Sequence, residues 1–233
     1  MLRHLRSIDV FINQLLNNWL PPVLRDQNWF YGNLIRLACG KNAGFFIDFR
    51  QRVYDMSDEE FAKVYADLAI TMPGRPTDLN QPCIDAILRD VQGPDILEVG
   101  CGRGFLAEKL ARQHHVTACD VALDPQLKKD SAVKYIECPA EKLPFEDKSF
   151  DTVVCTHTLE HVRDFNRCVE QLRRVVAKRL IIVVPCERPY RHSFNLHVHF
   201  FPYASDIYGR LGKHARSQLQ KLGGDWYYIE DKA

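Results

Sequence analysis

His157, Glu160 and His161 fall within one five-residue stretch, and residue types of this kind could move a proton near neutral pH or hold a divalent ion. Further imidazoles follow at His192, His197 and His199, interleaved with Arg188, Tyr190, Arg191 and Asn195. Upstream, Glu98 precedes three glycines at alternate positions, Gly100, Gly102 and Gly104, with Cys101 between the first two. Glycine serves where the backbone must take a positive φ or let a ligand approach without a Cβ in the way. A glycine run between a strand and a helix turns backbone N–H groups toward a bound cofactor. Asp120 stands roughly 20 residues further on, where a carboxylate can accept hydrogen bonds from vicinal ribose hydroxyls.

These residues need a frame, and the pattern predicts one. The run Asp95–Val99 reads as a strand feeding the glycines, and Phe105, Leu106 and Leu110 as the helix after them. Further strands are expected near 115–120, 133–136, 151–155 and 180–184, with helices between, which predicts a mostly parallel, doubly wound α/β sheet. Ser217–Leu222 and Trp226–Glu230 flank Gly223-Gly224 and predict a C-terminal antiparallel hairpin.

Ahead of this core the pattern is helical. Ile8, Phe11, Ile12, Leu15, Leu16 and Trp19 recur at helical spacing up to Pro21-Pro22. Ser57-x-x-Glu60 forms a capping box before Phe61, Val64, Tyr65 and Leu68, and Thr71–Pro76 reads as a linker. Ile84, Ile87, Leu88 and Val91 mark the last helix before the first strand. The division expected is a helical cap over residues 1–75 and a catalytic domain over 76–233.

The glycine spacing departs from the dinucleotide fingerprint, which would need glycine at position 105, where this chain has Phe105. A nicotinamide oxidoreductase is thereby disfavoured. Ile96-Leu97-Glu98-Val99-Gly100-Cys101-Gly102-Arg103-Gly104 instead resembles motif I of the class I S-adenosylmethionine-dependent methyltransferases. The run from Pro139-Ala140-Glu141 through Leu143-Pro144-Phe145, Ser149-Phe150-Asp151 and Leu159-Glu160-His161-Val162 is similar to the branch that includes the ubiquinone and menaquinone biosynthesis methyltransferases. The resemblance covers about residues 90–185. It implies a Rossmann-like fold and S-adenosyl-L-methionine as cofactor. It also implies that Glu98, Gly100, Cys101, Gly102 and Gly104 shape the methionine end of the site, that Asp120 binds ribose, and that Ala140 and Glu141 lie near adenine. The acid that usually precedes this alanine is Pro139 here, so the adenine contact rests on the Ala140 and Glu141 backbone or on the Glu141 carboxylate.

In open parallel sheets, ligands bind beyond the carboxyl ends of the strands. Thr156–His161 and Cys186–His199 therefore face the reacting centre. If 157–161 were helical, His157, Glu160 and His161 would share one face. The string His-x-x-Glu-His is also the inverted zinc-protease motif, but its place after a core strand argues against a protease. Metal-dependent O-methyltransferases of ubiquinone biosynthesis and small-RNA 3′-end methyltransferases carry a similar Glu-x-x-Glu-His, and the RNA enzymes add a later histidine. By that resemblance His157, Glu160, His161 and His199 would hold a divalent metal. Without a metal, His157 is the candidate general base, with Glu160 and His161 beside it.

Arg188, Tyr190, Arg191, Asn195, His197 and His199 suit a polar, ring-shaped or anionic acceptor: a small molecule, or a sugar or glycan stacked on an aromatic ring. O-methylation of such an acceptor is the expected reaction. The alternative is a regulatory module that binds S-adenosylmethionine without catalysis.

Composition narrows the partners. Net charge is +1 over 233 residues, with no long basic block, which disfavours nucleic acid. The cysteines are scattered and read as buried apolar residues in a reducing compartment, and no transmembrane run or leader is evident, so a cytoplasmic enzyme is expected. Peripheral membrane contact through the first helix and the neighbouring Trp29, Phe30 and Tyr31 is a further expectation.

Overall fold

A computed structural model of the protein describes residues 21–39, 43–71, 76–124, 127, 131–189 and 196–232. The first amphipathic segment expected, Ile8 to Trp19, lies outside the described residues, as does most of the expected linker at 71–76.

Seven strands form one sheet: β1 (Asp95–Val99), β2 (His115–Asp120), β3 (Lys134–Glu137), β4 (Phe150–Thr156), β5 (Val176–Pro185), β6 (Ser217–Leu222) and β7 (Asp225–Asp231). Their order is β3-β2-β1-β4-β5-β7-β6, with β1 to β5 parallel and β7 antiparallel to both of its neighbours. The order reverses between β1 and β2 on one side and β4 on the other, and open α/β sheets place their ligand crevice at such a point.

Alternation along the strands sends side chains to opposite faces. Leu97, Val99, Val153, Cys155, Leu180 and Ile182 pack with Phe165, Cys168, Val169 and Leu172 of α6 (Phe165–Val175). On the other face Ile96, Val116, Ala118, Val154, Ile181 and Val183 meet Cys83, Ile84 and Ile87 of α4 (Gln81–Asp90) and Leu106 and Leu110 of α5 (Phe105–Leu110). Burial on both sides explains why the central strands read as nearly continuous apolar runs. The last helix is α7 (Ala204–Leu211).

Among the described residues, three helices precede this core: α1 (Asn33–Cys39), α2 (Ala43–Arg52) and α3 (Asp58–Thr71). Before them come a helical turn at Pro22–Arg25 and a wider π-type turn at Asn28–Gly32. The capping box starts α3 as its sequence predicts: Ser57 N–H donates to Glu60 Oε2 at 2.9 Å, and Glu60 N–H donates to Ser57 Oγ at 3.1 Å. Ile35, Phe49, Val53 and Phe61 of this cap form a separate small core with Leu196 and Val198 from the loop after β5. The cap therefore packs on the end of the sheet where the crevice lies. Arg163 reinforces the contact. It donates to the Met56 carbonyl at 2.8 Å, pairs with Asp58 and lies 4.8 Å over the Phe61 ring.

Cys83, Cys101, Cys119, Cys138, Cys155, Cys168 and Cys186 are free thiols, all but Cys186 buried. Among the described residues no helix is long and apolar enough to cross a membrane.

Candidate active site

The glycine loop follows β1 directly. Gly100, Gly102 and Gly104 all have positive φ, at 77°, 49° and 68°. Gly100 is dictated by packing, since a Cβ there would lie 1.8 Å from Thr158 Oγ1. Gly102 differs: a Cβ would meet nothing within 4 Å, so its bare backbone borders open space. The loop is tied to β2 by Gly100 N–H and Cys101 N–H, which both donate to the Cys119 carbonyl. Asp120 is anchored on the same loop, its Oδ2 accepting from Gly102 N–H at 2.7 Å. Burial raises the Asp120 pKa, with the Gly102, Ala122 and Val121 amides working against that rise. Glu98 is buried at the end of β1, and burial pushes its pKa up to about 8 against the opposing Ala107 amide. Ala140 is buried and Glu141 half-buried, both beyond β3.

The second half of the site is built by two segments far apart in sequence. After β4 the chain does not enter a helix. His157 takes φ 48°, its N–H donates to the Val183 carbonyl at 2.9 Å, and residues 159–161 form a turn. The shared helical face expected for His157, Glu160 and His161 is therefore absent, because the ladder to β5 holds the backbone of His157 and a left-handed residue redirects the chain. The Glu160 carbonyl then accepts from Val198 N–H at 2.7 Å and His199 N–H at 3.0 Å. Those two bonds draw the loop after β5 onto the turn after β4.

The result brings together Glu160, His161 and His197, whose ligand atoms all lie within 4.8 Å of one another. Each ring is held from behind. His161 Nδ1 lies 3.1 Å from the Leu196 carbonyl, and His197 Nδ1 contacts the Glu187 carboxylate. Metal-ligating histidines are commonly oriented in this way, by a carbonyl or carboxylate on the other ring nitrogen. Burial, with the His197 charge next, lowers the His161 pKa to about 4, which leaves it a neutral ligand at pH 7. For His197, burial acts downward but Glu187 outweighs it and raises the pKa. Glu160 is wholly buried; burial alone would raise its pKa, but His157, His161 and His197 hold it down at about 2.

The remaining expected site residues fall elsewhere. His157 is not in the cluster. Its Nδ1 lies 3.2 Å from Glu160 Oε1 and its Nε2 lies 3.2 Å from Asp225 Oδ2. The first contact has ion-pair distance without hydrogen-bond alignment, since neither Glu160 oxygen has a hydrogen-bond partner. Burial acts to lower the His157 pKa, but Asp225 and Glu160 prevail and hold it at about 10. An imidazolium pinned between two carboxylates is a poor proton acceptor at neutral pH, which removes the basis for His157 as general base. His199 also stands apart from the cluster: its Nε2 meets the Val162 carbonyl at 2.9 Å and its Nδ1 meets Arg210 at 3.0 Å. Arg188 is exposed, while Tyr190, Arg191 and Asn195 lie outside the described residues.

Sequence reasoning did not anticipate Tyr65 or Glu187. Tyr65, on α3 of the cap, sets its ring edge-on to His161 with centroids 5.7 Å apart. It shared a helical stripe with Phe61 and Val64, so nothing local marked it out from a core residue. Four buried side-chain oxygens among the described residues lack a hydrogen-bond partner: Tyr65 Oη, Glu98 Oε2 and both oxygens of Glu160. Native interiors leave few such groups, because each costs on the order of 1–3 kcal/mol. All four belong to residues at this one end of the sheet.

Parallel strand order, the glycine loop after β1 and an acid closing β2 make this a Rossmann-like α/β sheet of the kind found in S-adenosylmethionine-dependent methyltransferases. Residues 97–184 match the family described as a methyltransferase domain. Over 96 residues the chain is 35% identical to a ubiquinone biosynthesis O-methyltransferase of Pseudomonas syringae pv. tomato, covering 37% of this chain and 41% of that protein. It is 33% identical over 88 residues to the mitochondrial arginine-hydroxylase NDUFAF5 of Mus musculus, covering 36% of this chain and 26% of that one. The chain thus spans less than half the length of these curated relatives. Among solved structures, a methyltransferase from Thermotoga maritima aligns with TM-score 0.50 at 17% identity, covering 81% of this chain and all of that one. A Methanosarcina mazei methyltransferase gives 0.50 at 20% identity, covering 67% and 99%.

Proposed function

We propose that the domain binds S-adenosyl-L-methionine at the glycine loop and transfers its methyl group to an oxygen of a hydroxyl-bearing acceptor, with a divalent ion held by Glu160, His161 and His197. The observation that carries this reading is the cluster of Glu160, His161 and His197, with ligand atoms within 4.8 Å of one another, beside buried oxygens of Tyr65 and Glu98 that lack a hydrogen bond. Because one relative is named an arginine hydroxylase, the domain match alone does not fix the reaction, and the site must.

The donor set fits both groups. Gly102 offers backbone bordering open space, Asp120 a carboxylate fixed by that backbone, and Glu98 an unpartnered buried oxygen beside them. When bound, the cofactor supplies an electrophilic methyl group. Two imidazoles and a carboxylate suit Zn²⁺, Mn²⁺ or Fe²⁺ better than Mg²⁺. A divalent ion there would lower the pKa of a coordinated hydroxyl, whose proton would leave to solvent before the methyl group is transferred and the neutral thioether departs. Glu160 supplies negative charge, His161 a neutral nitrogen lone pair, and Glu187 and the Leu196 carbonyl fix the two rings. Phe61 of the cap, packed with Leu196 and Val198 of the loop after β5, covers this end of the sheet and would exclude water from it. Acceptors compatible with this arrangement are small phenols and sugar-like alcohols. Arg188, exposed and next to Glu187, is a candidate contact for an anionic substituent.

The test is calorimetric titration of metal-stripped protein with Mn²⁺ and Zn²⁺, alongside Glu160→Gln and His197→Ala. Saturable one-to-one binding that drops at least tenfold in both variants is expected. Equal binding by wild type and both variants, or none by wild type, removes the metal from the account.

A further inference from the structure

The cap contributes more than cover. Tyr65 projects from α3 toward the sheet, packed on the small core that also carries Val121, the residue following Asp120. Its ring stands edge-on to His161 at 5.7 Å and lies 4.9 Å from Phe61, so packing fixes the phenol from two sides. Yet its hydroxyl is buried and has no hydrogen-bond partner. Tyrosine hydroxyls that go into an interior nearly always find one. Phenylalanine would fill the same stripe of α3 without that cost, so packing does not account for the oxygen.

The charges around the hydroxyl indicate what it meets. Glu160, Asp120 and Glu141 all lie close enough to act on the phenol electrostatically. Glu98, with its own unpartnered oxygen, also belongs to this end of the sheet and interacts with Asp120. A buried hydroxyl on an aromatic ring, among carboxylates and shielded from water, is an environment for a cation and a poor one for an anion. Within the proposed reading, the group of matching chemistry is the positively charged sulfonium of the cofactor, which carries polarised C–H groups that an oxygen can accept.

We infer that Tyr65 is a cofactor-contact residue contributed by the helical cap, its hydroxyl and ring facing the sulfonium, so that the cap selects the charged methyl donor over its neutral product. This rests on the proposed binding of S-adenosylmethionine. It makes the cap part of the cofactor site, and it favours release of S-adenosylhomocysteine once the positive charge is gone. A residue of purely structural role would stabilise the two ligands equally.

The test compares dissociation constants for S-adenosylmethionine, S-adenosylhomocysteine and the amine-bearing analogue sinefungin, by calorimetry with EDTA present so that metal plays no part. Wild type is measured beside Tyr65→Phe and Tyr65→Leu. In Tyr65→Phe, binding of the two cationic ligands is expected to weaken about threefold relative to the neutral one, the size of a weak C–H···O contact. In Tyr65→Leu, which also loses the ring, the relative loss should grow to about tenfold. Equal changes for all three ligands, or no change in either variant, overturn the inference while leaving the cofactor site intact. Failure of wild-type protein to bind any of the three overturns the proposed function as well.

Discussion

His157 sits in the left-handed region with Asp225 on one ring nitrogen and Glu160 facing the other. Asp225 Oδ2 also accepts from Asn80 Nδ2 at 2.7 Å, and Asn80 caps α4 through the Cys83 N–H. The imidazolium is thus a tie between the start of α4, the start of β7 and the turn that carries the candidate metal carboxylate. Its pKa is held at about 10 against an ordinary 6.5, so the folded state binds this proton more tightly than the unfolded chain does. The resulting stability is fully present below about pH 6.5 and is lost as pH rises through about 10. Urea midpoints of wild type should therefore fall across this alkaline window, and His157→Gln should flatten the slope. An unchanged slope in the variant removes the tie. The glycines, Glu98 and Asp120 were legible at this scale because a strand, a turn and the next strand place them locally. The grouping of Glu160 with His197 was not, since it depends on two backbone bonds between segments separated by α6 and β5.

At the scale of elements, the strands around the glycine loop were readable almost to the residue, since alternation and burial on both faces leave little choice of register. Observed β5 is longer than expected, running from Val176 directly after α6 ends at Val175. The hairpin around Gly223-Gly224 was legible from its turn residues. That β7 inserts between β5 and β6 follows only from the assembled sheet. The cap was legible as helices, but helical periodicity does not say what a helix docks against. Arg163 settles that docking by reaching three residues at the start of α3. Replacing it with alanine should cost about 1–2 kcal/mol of local stability. In hydrogen exchange, amides of α2 and α3 should lose protection while those of β1, β4 and β5 keep theirs. Uniform protection in Arg163→Ala would show that the apolar contacts with Leu196 and Val198 hold the cap unaided.

Taken as a whole, the molecule places parallel strands ending in a glycine loop and an acid beneath a helical cap that adds the aromatic rings of Phe61 and Tyr65. The near-zero net charge fits a small acceptor better than a polyanion. Among the described residues, the buried side-chain oxygens without a hydrogen bond concentrate where β1 and β4 end, as expected of the proposed ligand site. The most direct test is calorimetric titration of the purified protein with S-adenosylhomocysteine, wild type beside Asp120→Ala. One-to-one binding is expected, with a dissociation constant in the micromolar range, weakened more than tenfold by the substitution. No binding by wild type, or equal binding by both proteins, would contradict the proposed cofactor site.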